Sequence, residues 1–273
     1  MRTFRVAILD LYDGVPNEGM RCIKAILAEF YSSINQELTY SVFDIRKLGE
    51  LPDLKDFDAF ISTGGPGSPI LEGLAWEKNY FQFISSLIEF NSKNEKKKEL
   101  FAICHSFQML FQYFELGEIT KRKSTSFGVM PVHMINGAEN EPIFKGLEDP
   151  FWSVDSRDFQ AIQPDIERFK EVGAEILCLE KERPQIPLER AIMAVRFTKE
   201  IFGTQFHPEA DAEGMQRLFK TEEKKKAVIE NFGEEKYNEM LNSLGDPEKI
   251  ALTEKTIIPN FLHQAYAKFQ QFQ

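Results

Sequence analysis

One eleven-residue segment constrains the fold of this chain more than any other. Residues 100–110, LFAICHSFQML, begin with four apolar residues and continue with apolar side chains at helical spacing. The pattern predicts a fully buried strand over 100–103 and a helix over 106–114, with Cys104 at a sharp corner between them. A sulfur at that corner lies at the positive end of the helix, which favours the nucleophilic thiolate. The alternative is that Cys104 is a small core residue, as most free cysteines are.

A second segment, GTQFHPEA at residues 203–210, places a histidine and a carboxylate near a strand end. Residues 201–206 are predicted to be strand, and His207 and Glu209 follow two positions apart. Because positions two apart share a face of extended chain, the Glu209 carboxylate is expected to orient the His207 ring and stabilise its charged form. A base held in this way and facing a cysteine activates a nucleophile. An ordinary strand end followed by a turn is the alternative.

A third segment, FISTGGPGSP at residues 60–69, is an apolar strand that runs into a glycine-rich loop. Such a loop presents backbone N–H groups without obstruction by side chains. Beside the cysteine it would supply one donor of an oxyanion hole, and the amide after the nucleophile would supply the other. No Gly-Lys-Ser/Thr follows, which argues against a phosphate-binding P-loop. A plain tight turn is the alternative.

In this order and spacing, the three segments resemble the class I glutamine amidotransferases, the family with a Cys-His-Glu triad. The family pattern is a strand followed by Gly-Gly-Pro-Gly, a Cys-x-Gly-x-Gln elbow and a Phe-His-Pro-Glu strand end, and the match spans residues 5–210. SFGVMPV at 126–132 resembles the family's substrate-side loop and strand, and residues 189–209 resemble its closing hairpin. The resemblance implies a stand-alone domain similar to the amidotransferase domain of GMP synthase.

The resemblance also implies a reaction. Cys104 would be the nucleophile, His207 the general base and acid, and Glu209 the orienting carboxylate. Glutamine would be hydrolysed through a cysteine thioester to glutamate and ammonia, without metal or cofactor. The chain has no ATP-binding P-loop and little length for a synthetase domain, so the ammonia acceptor is expected on another protein, a separate synthetase subunit.

Five further residues receive roles from the resemblance. Gly65 and the backbone amide of His105 would form the oxyanion hole. The Gln108 side chain and the backbone of Ser126 and Phe127 would help to hold the glutamine substrate.

Three positions depart from the family pattern. Ser106 stands at the third position of the elbow, where the family usually has glycine. His105 beside Cys104 also resembles the DJ-1/PfpI superfamily, in which a histidine next to the nucleophilic cysteine takes part in peptidase chemistry. Arg157 replaces a histidine frequent in relatives and is expected to alter contacts to a partner or acceptor substrate without touching the triad. Two alternatives therefore stay open: a cysteine hydrolase of other γ-glutamyl or peptide bonds, and a non-catalytic binding protein.

The amino-acid composition limits the kinds of partner that this chain is expected to bind. The 273 residues include 33 basic and 43 acidic side chains, and the net charge of −10 argues against nucleic-acid binding. The basic runs at 96–98, 121–123 and 224–226 are expected to be solvated faces, with contact to an anion as an alternative for the second.

Three widely spaced cysteines predict no disulfide framework, and Cys22 and Cys178 are expected in the core. No apolar stretch reaches membrane-spanning length and no signal peptide precedes the first strand, so the expected location is cytoplasmic.

Strand and helix patterns predict an α/β fold with a mostly parallel, flavodoxin-like central sheet flanked by helices. Strands are expected at 5–11, 38–43, 59–62 and 100–103, with helices over 20–30 and 76–90. Shorter strands over 128–206 predict an antiparallel extension. Residues 1–210 are expected to form the amidotransferase-like domain. Residues 211–273 are expected to form a helical extension packed on it, with a docking element or a lid as the alternative, and His263 is expected to be structural.

Overall fold

A computed structural model describes residues 2–34, 36–185, 187–244, 246 and 249–272. These residues form a nine-stranded sheet in the order β2-β1-β3-β4-β9-β8-β7-β5-β6. The strands are β1 (Phe4–Asp10), β2 (Leu38–Asp44), β3 (Ala59–Ser62), β4 (Glu99–Ile103), β5 (Glu118–Met134), β6 (Phe151–Ile162), β7 (Glu175–Glu180), β8 (Ile192–Arg196) and β9 (Ile201–Thr204).

Helices pack against both faces of this sheet. They are α1 (Glu18–Ser33), α2 (Ala75–Lys93), α3 (His105–Tyr113), α4 (Ile166–Val172), α5 (Ala212–Phe219), α6 (Glu222–Phe232), α7 (Glu234–Leu244), α8 (Ile250–Glu254) and α9 (Ile257–Gln270). Helix α1 begins after Asn17, whose side chain accepts a hydrogen bond from the Gly19 amide at 2.7 Å. The strand-helix alternation predicted from the sequence is confirmed.

The parallel half of the sheet explains the continuous apolar runs. Strands β2, β1, β3, β4 and β9 pair in parallel. In β1, Val6 and Ile8 pack in the core on the α1 and α9 side, whereas Ala7 and Leu9 pack in the core on the α2 and α3 side. A strand covered on both faces needs apolar side chains at every position. The carboxyl ends of β1, β3, β4 and β9 meet at one edge, where sites of such sheets form.

The antiparallel half differs in part from its prediction. Strands β8 and β9 form the predicted hairpin, and β7, β5 and β6 continue the antiparallel pairing. The strands are not all short, because β5 has 17 residues and β6 has 12. Strand β5 begins at Glu118, ten residues before the predicted start. The long pairing of β5 with β6 is interrupted between Lys121 and Ser126, where the register shifts.

Two of the basic runs are not wholly solvated. Lys98 is 2% exposed, and its ammonium group donates to the carbonyl oxygen of Phe57. Burial lowers the pKa of Lys98 to about 8. Arg122 pairs with Glu180 at 2.9 Å, and both side chains are largely buried. The prediction of solvated faces is therefore wrong at these two positions, because each cation has an oxygen partner elsewhere in the chain.

The C-terminal helices pack at two separate places. Helix α9 joins the main core, where the Phe261 ring lies 5.3 Å from that of Phe101. Helices α5 to α7 cover β5 and β6, with Phe219 against Phe127 at 5.0 Å. His263 on α9 contacts Phe30 edge-on and does not line the cavity that contains Cys104. The division of the chain at residue 210 stays a prediction.

Helix α9 offers a test of that division. Replacing Phe261, which is 0% exposed, by alanine should cost about 3–5 kcal/mol of unfolding free energy, since a large cavity opens beneath the sheet. Leu252→Ala on α8 is the control, because Leu252 is 38% exposed. Chemical denaturation followed by circular dichroism should show one transition that moves in Phe261→Ala alone. A separate early transition for the helices would contradict an extension packed on the main core.

Candidate active site

The corner between β4 and α3 is strained. Cys104 has φ 50° and ψ −97°, a conformation that costs a non-glycine residue about 1–3 kcal/mol. Backbone bonds hold it there: the Cys104 amide donates to Thr204 at 2.7 Å, and its carbonyl accepts from Gln108 at 3.0 Å. The turn presents the sulfur to a cavity, with the residue 7% exposed. The predicted strand, corner and helix are confirmed.

Ser106 fastens this corner to the neighbouring strand. Its hydroxyl oxygen accepts from the Ile103 amide at 2.8 Å and lies 2.8 Å from the carbonyl oxygen of Ser62, to which it can donate. Ser62 is the last residue of β3, directly before the glycine-rich loop. Ser106 therefore ties the cysteine corner to the end of the strand that leads into this loop.

His207 and Glu209 are in contact, but not for the reason inferred from the sequence. Strand β9 ends at Thr204, two residues earlier than predicted, and His207 forms an isolated bridge with Val154. Pro208 and Glu209 then form a turn. Within that turn His207 Nδ1 lies 2.9 Å from Glu209 Oε1, so the chain folds back to make the contact rather than running straight.

The environment of His207 favours its charged form. Burial alone would lower the pKa of His207, but the nearby Glu209 carboxylate and Cys104 sulfur outweigh burial and raise that pKa well above its usual value. A Cβ on Gly64 would lie 3.1 Å from His207 Cε1 and 3.7 Å from Cys104 Cβ. The His207 ring and the Cys104 side chain therefore both lie next to the backbone of Gly64.

The glycine-rich loop lies against the same cavity. Gly65 and His105 line it together with Cys104. A Cβ on Gly65 would lie 2.5 Å from the carbonyl oxygen of Leu11, so this position accepts no larger residue without a shift of backbone. The amide of His105 belongs to the first turn of α3, where N–H groups have no partner within the helix.

Arg46 supports the loop from behind. Its guanidinium donates to the Pro66 carbonyl at 2.8 Å and stacks on the Trp76 ring at 4.9 Å. Burial, and then the nearby Arg46 charge, lower the pKa of His105 to about 4, although a hydrogen bond with the Gly65 backbone opposes the change. His105 is therefore neutral near pH 7, and its ring packs near Trp76. Arg46 was not predicted as a site residue, since nothing in its local sequence pattern marks it.

The cavity has a volume of about 470 Å³. Gln108 lines it and donates to Gln205 Oε1 at 2.9 Å, while Gln205 Nε2 lies 3.7 Å from Cys104 Sγ. Gln205 was missed as a site residue, although it lies inside the GTQFHPEA segment. The other residues that line the cavity are Tyr12, Val15, Asn17, Gly65, Pro66, Gly67, Cys104, His105, Thr125, Phe127, Ser156, Arg157, Asp158, Phe159, His207 and Val228.

Neighbouring residues of β5 point in different directions. Phe127 lines the cavity, whereas the Ser126 hydroxyl donates to Asp155 Oδ2 at 2.7 Å. Arg157 also pairs with Asp155, at 2.9 Å, and its side chain is 1% exposed. Its guanidinium is enclosed by Asp155 and Glu180, and an effect of Arg157 on a partner or acceptor substrate stays a prediction.

The described part of the chain lacks two other kinds of site. No group of three or more histidine, cysteine, aspartate or glutamate side chains within it is arranged to hold a metal ion. No described helix is both long enough and apolar enough to cross a membrane. Cys22, Cys104 and Cys178 are all free and buried.

A strained cysteine corner that faces a carboxylate-bound histidine points to a defined class of protein. Residues 9–224 match the family model for glutamine amidotransferase class-I. The chain therefore belongs to the class I glutamine amidotransferases, and the resemblance inferred from the sequence is confirmed. No curated protein matches the chain significantly.

Solved structures share the fold. A glutamine amidotransferase from Thermotoga maritima is 17% identical with a TM-score of 0.65, and the alignment covers 96% of this chain and 97% of that one. A putative GMP synthase component from Thermoplasma acidophilum is 15% identical with a TM-score of 0.60, covering 99% of both chains. The glutaminase domain of Trypanosoma brucei CTPS with bound acivicin is 13% identical with a TM-score of 0.54, covering 76% and 86%. At these identities the likeness concerns the fold.

The charge on His207 should appear as a pH dependence of stability. Because the pKa of His207 is raised in the folded protein, the charged ring stabilises the fold. This contribution to the unfolding free energy is complete below about pH 6.5 and is lost as the pH rises through the pKa of His207 in the folded protein. Urea unfolding of wild type and His207→Gln should therefore differ most near pH ~6 and progressively less at alkaline pH. In a Glu209→Gln background the pH dependence of this difference should shrink. A difference that grows with pH would contradict a raised pKa.

Proposed function

We propose that this chain hydrolyses the side-chain amide of glutamine to glutamate and ammonia through a thioester on Cys104. The observation that carries the proposal is the contact of His207 Nδ1 with Glu209 at 2.9 Å beside the strained, cavity-facing Cys104. An oriented, charged histidine next to a cysteine is the arrangement that nucleophilic amide hydrolysis requires. The family match supports glutamine as the substrate.

The proposed mechanism uses one proton carrier. The Cys104 thiolate attacks the carboxamide carbon, and the resulting oxyanion accepts hydrogen bonds from the backbone amides of Gly65 and His105. His207 gives its proton to the departing nitrogen, ammonia leaves, and a γ-glutamyl thioester remains. His207 then removes a proton from the attacking water. Collapse of the second tetrahedral intermediate releases glutamate and restores the thiolate.

Gln108, Ser126 and Phe127 are proposed to contact the glutamine, two of them as cavity-lining residues and one through its backbone. Phe127 and Gln108 line the cavity, whereas Ser126 would act through its backbone, since its side chain bonds to Asp155. The ammonia acceptor is proposed to lie on a separate synthetase subunit in the cytoplasm. The fold shared with the putative GMP synthase component is the support for such a partner.

The proposal is tested with a glutamine-mimicking electrophile, 6-diazo-5-oxonorleucine. Intact-mass analysis should show one adduct on the wild type, peptide mapping should locate it at Cys104, and Cys104→Ala should show none. Cys178→Ala is the matched control, because Cys178 is buried in the core, where burial raises the pKa of its thiol well above the usual value. Absence of both the adduct and glutamate release, with and without candidate partners, would leave a non-catalytic binding protein as the better interpretation.

The cavity also favours a second candidate, a hydrolase of larger γ-glutamyl amides. A volume of about 470 Å³ falls in the range of about 300–1,000 Å³ that suits drug-sized ligands, and glutamine is much smaller. Apolar side chains of Val15, Phe159 and Val228 line the cavity and would suit a substituent on the amide nitrogen. Val228 belongs to α6, so the C-terminal helices would contribute to specificity.

The two candidates separate in one kinetic comparison. We expect kcat/KM for free glutamine to exceed that for γ-glutamyl-phenylalanine if glutamine is the substrate. Val228→Ala should then change both values little. A higher kcat/KM for the dipeptide, reduced selectively by Val228→Ala, would select the second candidate.

A further inference from the structure

Tyr12 is a buried residue of the cavity wall whose hydroxyl lacks a hydrogen-bond partner among the described residues. The residue is 4% exposed, and it lines the cavity that contains Cys104 and His207. An unpaired buried hydroxyl costs about 1–3 kcal/mol, so its retention needs an explanation. Tyr12 closely follows the β1 strand, and nothing in the local sequence pattern marks it as a site residue.

A second unpaired atom belongs to the same neighbourhood. Glu209 Oε1 contacts His207, but Glu209 Oε2 is buried and has no hydrogen-bond partner among the described residues. A buried carboxylate oxygen is stabilised chiefly by donors. Tyr12 offers a donor without an acceptor, and Glu209 offers an acceptor without a donor.

Gly19 shows that the two side chains approach each other. A Cβ on Gly19 would lie 2.2 Å from the Tyr12 hydroxyl oxygen and 3.0 Å from Glu209 Oε1. The Tyr12 hydroxyl is therefore a neighbour of the Glu209 carboxylate across the first turn of α1, where glycine leaves room for both side chains. Glu209 and Gly19 line a small cavity of about 110 Å³, which exceeds the volume that one water requires. Asn17 and His207 line both this cavity and the adjoining one that Tyr12 lines.

We propose that Tyr12 is a positioning residue, whose hydroxyl donates through one bridging water to Glu209 Oε2 and thereby fixes the carboxylate against His207. The inference rests on the proposed function. Tyr12 would be a fourth side chain that acts together with Cys104, His207 and Glu209. It would act through Glu209 and would not contact the substrate amide. Burial, followed by the charges of Glu209 and Cys104, raises the pKa of Tyr12 well above its usual value, so the hydroxyl keeps its proton.

The test is Tyr12→Phe, which removes the hydroxyl and keeps the ring. We expect kcat for glutamine hydrolysis and the rate of labelling by 6-diazo-5-oxonorleucine to fall about 10-fold, with KM within about twofold. The thermal midpoint should change little, because phenylalanine keeps the ring and its packing and removes only the hydroxyl. Tyr113→Phe is the control, since the Tyr113 hydroxyl lies 2.8 Å from that of Ser85, on the far end of α3.

A double-mutant cycle separates positioning from packing. If Tyr12 acts through Glu209, Tyr12→Phe should cause no further loss of labelling rate in a Glu209→Gln background. An equal fractional loss in both backgrounds, or no loss in either, would overturn the proposal. The expected coupling would be absent for Tyr113→Phe.

An activity-free measurement keeps this inference distinct from the proposed function. The proton on His207 Nδ1 should give a downfield NMR signal that moves in Tyr12→Phe and stays in Tyr113→Phe. If the wild type neither labels nor hydrolyses glutamine, the proposed function fails, and the NMR comparison still decides the role of Tyr12. A crystal structure of the wild type with either oxygen bonded to other groups would also overturn the bridge, even if Tyr12→Phe did not fold.

Discussion

The parallel pairing of β4 between β3 and β9 is the constraint on which the site depends. Ala102 of β4 pairs with Ser62, and Ile103 pairs with Thr204. The cysteine corner follows one strand, the glycine-rich loop the second, and His207 the third. A register slip of one residue would turn every side chain of a strand to the opposite face, so the core fixes the positions of all three segments at once.

Pairing alone does not hold the strained corner. Cys104 keeps its positive φ because its amide is bonded to β9 and the Ser106 hydroxyl bridges Ile103 and Ser62. Arg46 braces the facing loop through Pro66. Strain of this kind persists only where surrounding contacts over-determine it. The Ser106 hydroxyl thus anchors the corner to the end of β3, the strand that leads into the glycine-rich loop.

What the sequence could predict followed from local periodicity. Strand β3 has the predicted bounds, and the β4–α3 corner at Cys104 was recognisable because burial on both faces leaves a continuous apolar run. The contact of His207 with Glu209 was predicted with the wrong geometry, since a turn and a strand end share the same local signal. Tyr12 and Arg46 were not recognisable, because their roles come from contacts with residues distant along the chain. Lys98 and Arg122 were predicted to be solvated, and that prediction was wrong for the same reason.

The buried ion pairs of the antiparallel half of the sheet join residues that are distant along the chain, and they fix the position of one wall of the active-site cavity. Burial would raise the pKa of Glu180, but Arg157 and Arg122 outweigh it and keep that pKa low, so Glu180 is charged between two cations. Arg157 also forms an ion pair with Asp155, which lies on the same strand, β6. A buried ion network contributes little net stability, because desolvation offsets attraction, yet it accepts few alternative geometries. Arg157 therefore fixes β6 against β7, and Asp155 binds Ser126 of β5, so these contacts hold the side of the cavity that Phe127 and Ser156 form.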